Sequence, residues 1–140
     1  MASQYPVVKP HNNTEIAEFR GLLVHVSEEI YAMARTSEAL PGSFAIIDDG
    51  NEITAVVERS KLREENVLQV ETDWRLLTFD VVLPFDTIGF LAKVSGALAD
   101  AKVPILVFSS FSTDHLLVRE KNLSAALAKL REMGFVIDYC

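Results

Sequence analysis

Apolar residues recur at steps of three and four along Leu91, Val94, Leu98 and Ala101, the spacing that lines one face of an α-helix. A helix over Thr87–Ala101 is therefore expected, with Asp86 as its N-cap and Pro104 enforcing a stop. Upstream the period changes to two. Leu77, Phe79, Val81 and Leu83 alternate with Thr78, Asp80 and Val82, so Arg75–Leu83 reads as a strand that Pro84 ends. Val103–Ser110 reads as a second strand, and its unbroken run Ile105-Leu106-Val107-Phe108 predicts burial on both faces. Ser112-Thr113-Asp114 makes a turn and His115–Glu120 a third strand. Leu123, Ala126, Leu127, Leu130 and Met133 mark the buried face of a second helix, capped by Asn122 and stopped by Gly134. Phe135–Tyr139 is a final strand.

From Trp74 the order is thus strand, helix, strand, strand, helix, strand. That is the α+β, ferredoxin-like βαββαβ arrangement, with both helices on one face of an antiparallel sheet. The N-terminal half is mostly β. Ile30–Thr36 predicts a short strand. Ser43–Asp48 and Glu52–Glu58 predict a hairpin around Asp48-Asp49-Gly50-Asn51. Ser60–Glu65 reads as one helical turn, and Val67–Val70 as a short strand. Residues 1–13 are polar and form an arm. Ile16, Phe19 and Leu23 suit a helix over Thr14–Val24, while Leu22–Val26 equally suits a strand. Three segments follow: 1–28 as arm and candidate helix, 29–73 as a degenerate half, and 74–140 as the βαββαβ unit.

An internal repeat links the last two. Val57-Glu58-Arg59-Ser60-Lys61-Leu62 resembles Val118-Arg119-Glu120-Lys121-Asn122-Leu123, and Ala45-Ile46-Ile47 resembles Leu106-Val107-Phe108. The N-terminal half reads as a shortened copy that has lost most of its helices.

Charge and composition narrow the function. A net charge of −7 argues against nucleic-acid backbones and anionic membrane surfaces. No apolar run is long enough to span a bilayer, and Met1–Pro10 lacks a signal-peptide core. The single cysteine, Cys140, permits no internal disulfide and suits a reducing, cytoplasmic setting. His11, His25 and His115 are scattered, with no paired-ligand spacing, so neither metal nor cofactor is expected. The turn explains Asp48 and Asp49, and with Glu52 they have no EF-hand spacing, so a metal site is not expected there. Ser110, Asp114 and His115 supply triad residue types without a nucleophile elbow, so no enzyme activity is expected.

Two stretches carry a resemblance. Asp86-Thr87-Ile88-Gly89-Phe90-Leu91 is similar to the strand-to-helix turn of ACT domains. Val107-Phe108-Ser109-Ser110-Phe111-Ser112-Thr113-Asp114-His115-Leu116-Leu117-Val118 is similar to the second hairpin of small ACT proteins. Those relatives include aspartate-kinase regulatory domains and the cytosolic arginine sensors of the CASTOR type. The likeness covers residues 74–134 and, more loosely, Tyr31–Glu71. It implies an ACT fold and a non-catalytic domain that binds a small molecule, an amino acid above all, between two such units. A homodimer and a separate regulated protein are the implied partners. A purely structural dimerisation module is the alternative.

The residues expected to meet such a ligand are Asp86, Thr87, Ile88, Gly89 and Phe90 in the turn, and Ser109, Ser110, Thr113, Asp114 and His115 in the hairpin. A ligand carboxylate would take the amides of Ile88, Gly89 and Phe90 at the helix start. Its ammonium would take Asp86 or Asp114. Each residue also has a plainer role: Asp86 as cap, Gly89 as a packing glycine, Asp114 in a turn, and His115 as a structural histidine.

Overall fold

The computed structural model describes residues 19–82 and 88–139. Its elements are β1 (Leu23–Thr36), β2 (Ala45–Asp48), β3 (Ile53–Glu58), β4 (Val67–Asp80), α1 (Phe90–Asp100), β5 (Ile105–Ser109), β6 (Asp114–Arg119), α2 (Leu123–Glu132) and β7 (Val136–Tyr139). Contacts group them into two units. One joins the residues up to Ser27 to those from Leu76 onward; the other is Glu28–Arg75.

In the first unit the strand order is β7-β1-β4-β6-β5. The fold is the ferredoxin-like α+β arrangement, with one strand added: β1 stands between the last and first strands of the βαββαβ series. Leu23–Val26 pair in parallel with Val136–Tyr139, which ties this stretch to the C-terminal unit; the arm expected over residues 1–13 lies outside the described residues. This also decides the ambiguity at Leu22–Val26: from Leu23 onward the chain is strand. Residues 14–18 lie outside the described residues.

The helices share one face of this sheet. Val24 and Val26 of β1, Leu77 and Phe79 of β4, and Leu116 and Val118 of β6 form one buried core with Val94, Leu98, Leu127 and Leu130 of the helices. Phe19 stacks on Phe135 at 5.2 Å and meets Phe90 edge-on at 5.5 Å. Burial of each such ring contributes roughly 2–3 kcal/mol. Gly134 closes α2 at φ +100°, and its carbonyl accepts the Gly21 N–H at 2.9 Å.

Three expectations change here. α1 begins at Phe90, and its N-cap is Gly89 at φ +89°, with no side-chain cap bond. A residue in that left-handed region does not sit inside a helix, so the helix starts at Phe90 rather than Thr87; the cap expected at Asp86 lies outside the described residues. The buried stripe accordingly runs through Phe90, Val94 and Leu98, with Leu91 exposed. The apolar run of β5 is not buried on both faces: β5 is an edge strand, with Val107 exposed. β4 is one continuous strand from Val67, where a short strand and a separate later one were expected. It absorbs Asp73 at φ +67°, a local kink that the polar stretch Glu71–Asp73 disguises as a break.

The second unit has the order β2-β3-β1-β4. Its hairpin turns as expected: Asp48 and Asp49 side chains accept the N–H groups of Gly50, Asn51 and Glu52 at 2.8–3.0 Å. Those bonds, that from Glu52 foremost, hold the Asp49 carboxyl below its ordinary pKa. The internal repeat extends to the hydrogen-bond ladder. Ala45 pairs with Val56 and Leu106 with Leu117, both members shifted by 61 residues, and the next three pairs keep that shift. Even the 3-10 turns correspond, Arg59–Lys61 and Glu120–Asn122. The copies diverge one residue later. Leu123 is helical and opens α2, whereas Leu62 is extended (φ −74°, ψ 125°). Leu123 leads into an apolar stripe that can be buried; Arg63, Glu64 and Glu65 after Leu62 offer none. The expected turn over Ser60–Glu65 thus shrinks to Arg59–Lys61.

Candidate functional site

Strand alternation sorts the first unit's polar side chains onto the face away from its helices. Leu116 and Val118 enter the core, so His115 faces the other way, as does Thr78 beside Leu77 and Phe79. There His115 is gripped from both sides. The Thr78 hydroxyl lies 2.9 Å from Nδ1, and Ser110 and Thr113 hydroxyls lie 3.0 and 3.3 Å from Nε2. Ser110 and Thr113 also bond each other at 2.7 Å. Burial, opposed in part by the Asp114 charge, lowers the His115 pKa, which keeps the ring neutral at pH 7.

Ser109 and Asp114 pair at the end of the hairpin, and the Ser109 hydroxyl donates to Asp114 at 2.6 Å. The Ser110 N–H donates to the Thr113 carbonyl at 2.9 Å, which tightens the loop and presents Phe111 at its tip, 82% exposed. The structure therefore brings Ser110 and Thr113 together on the His115 imidazole, while Ser109 and Asp114 pair with each other at the end of the hairpin. A hydroxyl stands at Nδ1, where a catalytic triad places a carboxylate. The arrangement suits recognition by hydroxyls and a fixed neutral ring better than nucleophile activation.

The other half of the expected site is only partly placed. Asp86 and Thr87 lie outside the described residues. Ile88 is 70% exposed, just before α1. Gly89 is the N-cap, its carbonyl accepting the Lys93 N–H at 3.0 Å, and the Phe90 ring is committed to the core against Phe19 and Phe79. Phe90 can offer a ligand its N–H but not its side chain.

One group was not singled out from the sequence. His25 of β1 lies between Asp80 of β4 and Asp138 of β7, with Nε2 2.6 Å from one carboxylate and Nδ1 2.7 Å from the other. Burial lowers the His25 pKa, but the two bonds and two charges more than offset this, and the net shift is upward. The only linear signal is a polar residue set between apolar neighbours, Val24-His25-Val26 and Phe79-Asp80-Val81. Among the described residues no group of His, Cys, Asp and Glu has the arrangement of a metal site.

The element series β4-α1-β5-β6-α2 and its hairpin find a counterpart among known families. Residues 69–132 match the ACT domain model. The ACT match runs from within β4 to the last residue of α2 and covers under half of the 140 residues. Among solved structures, the chain is similar to a protein from Agobacterium tumefaciens at 26% identity and a TM-score of 0.73, over 86% of this chain and 94% of that one. It is similar to a protein of unknown function from Vibrio cholerae at 20% identity and 0.67, over 81% and 91%. The regulatory subunit of aspartate kinase from Thermus thermophilus matches at 14% identity and 0.52, over 79% and 95%. At these identities the last two establish the ACT-type fold, not an activity.

Proposed function

We propose that this chain is a non-catalytic regulatory module that binds a small molecule, an amino acid, at the hairpin Ser109–His115 and the turn into α1. The observation that supports it most is the coincidence of the ACT match with the partly buried hydroxyl–imidazole cluster of Ser110, Thr113, His115 and Thr78. Fixed hydroxyls, the Asp114 carboxylate and the N-terminus of α1 suit the two charged ends of an amino acid. In this reading the protein acts in the cytoplasm, on a separate regulated protein.

A second reading, a homodimerisation module, draws on the edge strands. β2 and β5 each end a sheet order, and Ile46, Ile47 and Val107 are exposed on them. Such edges pair across two-fold axes.

Thermal denaturation against the twenty amino acids at millimolar concentration tests the first reading. A ligand at a hundred times its Kd stabilises the folded state by about 2.7 kcal/mol. At least one amino acid should raise the Tm of the wild type, and Asp114→Asn should reduce that shift. Gly89→Leu is the poorer variant, because φ +89° strains any side chain there. A flat panel with a concentration-dependent dimer would favour the second reading.

A further inference from the structure

The repeat exposes what the second unit lacks. Val118 lies beneath the helices in the first unit's core; its counterpart 61 residues earlier, Val57, has no helix above it. In the second unit the segment between β1 and β2 stands in place of α1, and the chain from Leu62 to Asn66 in place of α2. Yet Val57 is only 2% exposed. The two segments close over its surroundings, and they are tied to each other. The Ser37 N–H donates to the Asn66 carbonyl at 2.9 Å, and the Ser37 hydroxyl to the Asn66 side chain at 3.3 Å.

What remains is a cavity of about 740 Å³ that includes Leu40, Pro41 and Val57 as its apolar part. That volume lies in the range of small-molecule sites. Its charged groups are of both signs. Lys61 is held by Glu58 at 3.2 Å. Arg63, Glu38 and Glu65 form no ion pair or side-chain hydrogen bond among the described residues. A divalent cation would meet Arg63 and Lys61, and a dianion would meet two carboxylates. A molecule with one charge of each sign is complementary to both.

We propose that this cavity binds a small zwitterion with an apolar body: its carboxylate on Arg63, its ammonium on Glu38 and Glu65, and its body against Leu40, Pro41 and Val57. A free apolar amino acid and a short peptide share this chemistry. The site lies wholly within Glu28–Arg75 and is separate from the hairpin of the first unit.

Titration calorimetry of the full chain with L-leucine, L-phenylalanine and L-leucyl-L-leucine tests it and separates the two sources by affinity. N-acetyl-L-leucinamide, which carries neither charge, serves as the probe of charge recognition. Saturable binding of at least one zwitterion is expected, weakened about tenfold or more by Arg63→Gln and by the double change Glu38→Gln, Glu65→Gln. Arg63→Lys should restore part of the loss, and Thr113→Val in the first unit should leave this binding unchanged. Glu38, Arg63 and Glu65 are exposed, and unchanged melting curves check that the variants fold. The proposal is overturned by no binding of any zwitterion, by wild-type affinity in both charge variants, or by equal binding of the uncharged probe. Loss of binding in Thr113→Val alone would assign the ligand to the hairpin and overturn it as well.

Discussion

His25 Nε2 lies 2.6 Å from Oδ2 of Asp80, a residue 55 positions later in the chain. With Asp138 at the other ring nitrogen, the imidazole bridges β7, β1 and β4. Its folded pKa is raised above 6.5, so the charged ring is favoured by folding. Its contribution is then fully present below about pH 6.5 and is lost as pH rises through the folded value. Denaturant melts from pH 5.5 to 8.5 should show the gap between wild type and His25→Gln shrinking as pH rises. A constant gap would show that the pair is not linked to folding.

His115 should behave in the opposite way. Burial depresses its folded pKa, so protonation favours the unfolded chain. Its neutral-ring contribution holds above about pH 6.5 and is lost as pH falls below it. Imidazole NMR titration reads both residues at once: the His25 midpoint should lie above that of His115. Coincident midpoints would contradict both assignments.

Gly134→Ala should destabilise more than Gly21→Ala. Both glycines have positive φ, +100° and +81°, so each substitution carries the backbone cost of about 1–2 kcal/mol. Only at Gly134 would the new Cβ also strike backbone, 2.9 Å from Arg20 Cα. At Gly21 it meets nothing within 4 Å. Urea unfolding of the two variants gives the difference directly, and equal losses would mean the Arg20 segment yields freely.

Phe79→Ala should cost about 3–5 kcal/mol, because the ring is fully buried and packs on Phe90 and Phe135 at 5.3 Å. Phe111→Ala removes an equally large ring that is 82% exposed, and stability should move by no more than about 0.5 kcal/mol. The contrast separates the core from the hairpin tip in one pair of melts.

Local pattern made much of this legible. α2 and its buried Ala126, Leu127 and Leu130 follow from helical spacing, and the hairpin at Asp48–Asn51 follows from turn chemistry. The repeat at Val57 and Val118 was readable because both copies keep the same strands and turns. Errors fell where a short-range signal was ambiguous. The helix start was placed three residues early because the left-handed backbone of Gly89 has no signature beyond the glycine itself. Ile105–Phe108 looked like a central strand because apolarity alone does not say whether a second neighbour pairs with it.

By itself, then, the sequence determined the order of elements from α1 onward, the apolar faces of α2 and of the strand residues Leu77–Val81, and the polarity of the hairpin Ser109–His115. These depend on neighbours within a few residues, where the period of the backbone dictates which side chains share a face. The tertiary structure alone decided that β1 enters beside β7, that His25 meets Asp80 and Asp138, and that Thr78 completes the shell of His115. Those partners lie 37 to 113 residues apart. No local propensity encodes such a pairing, because it is fixed by the sheet register that buries the common core.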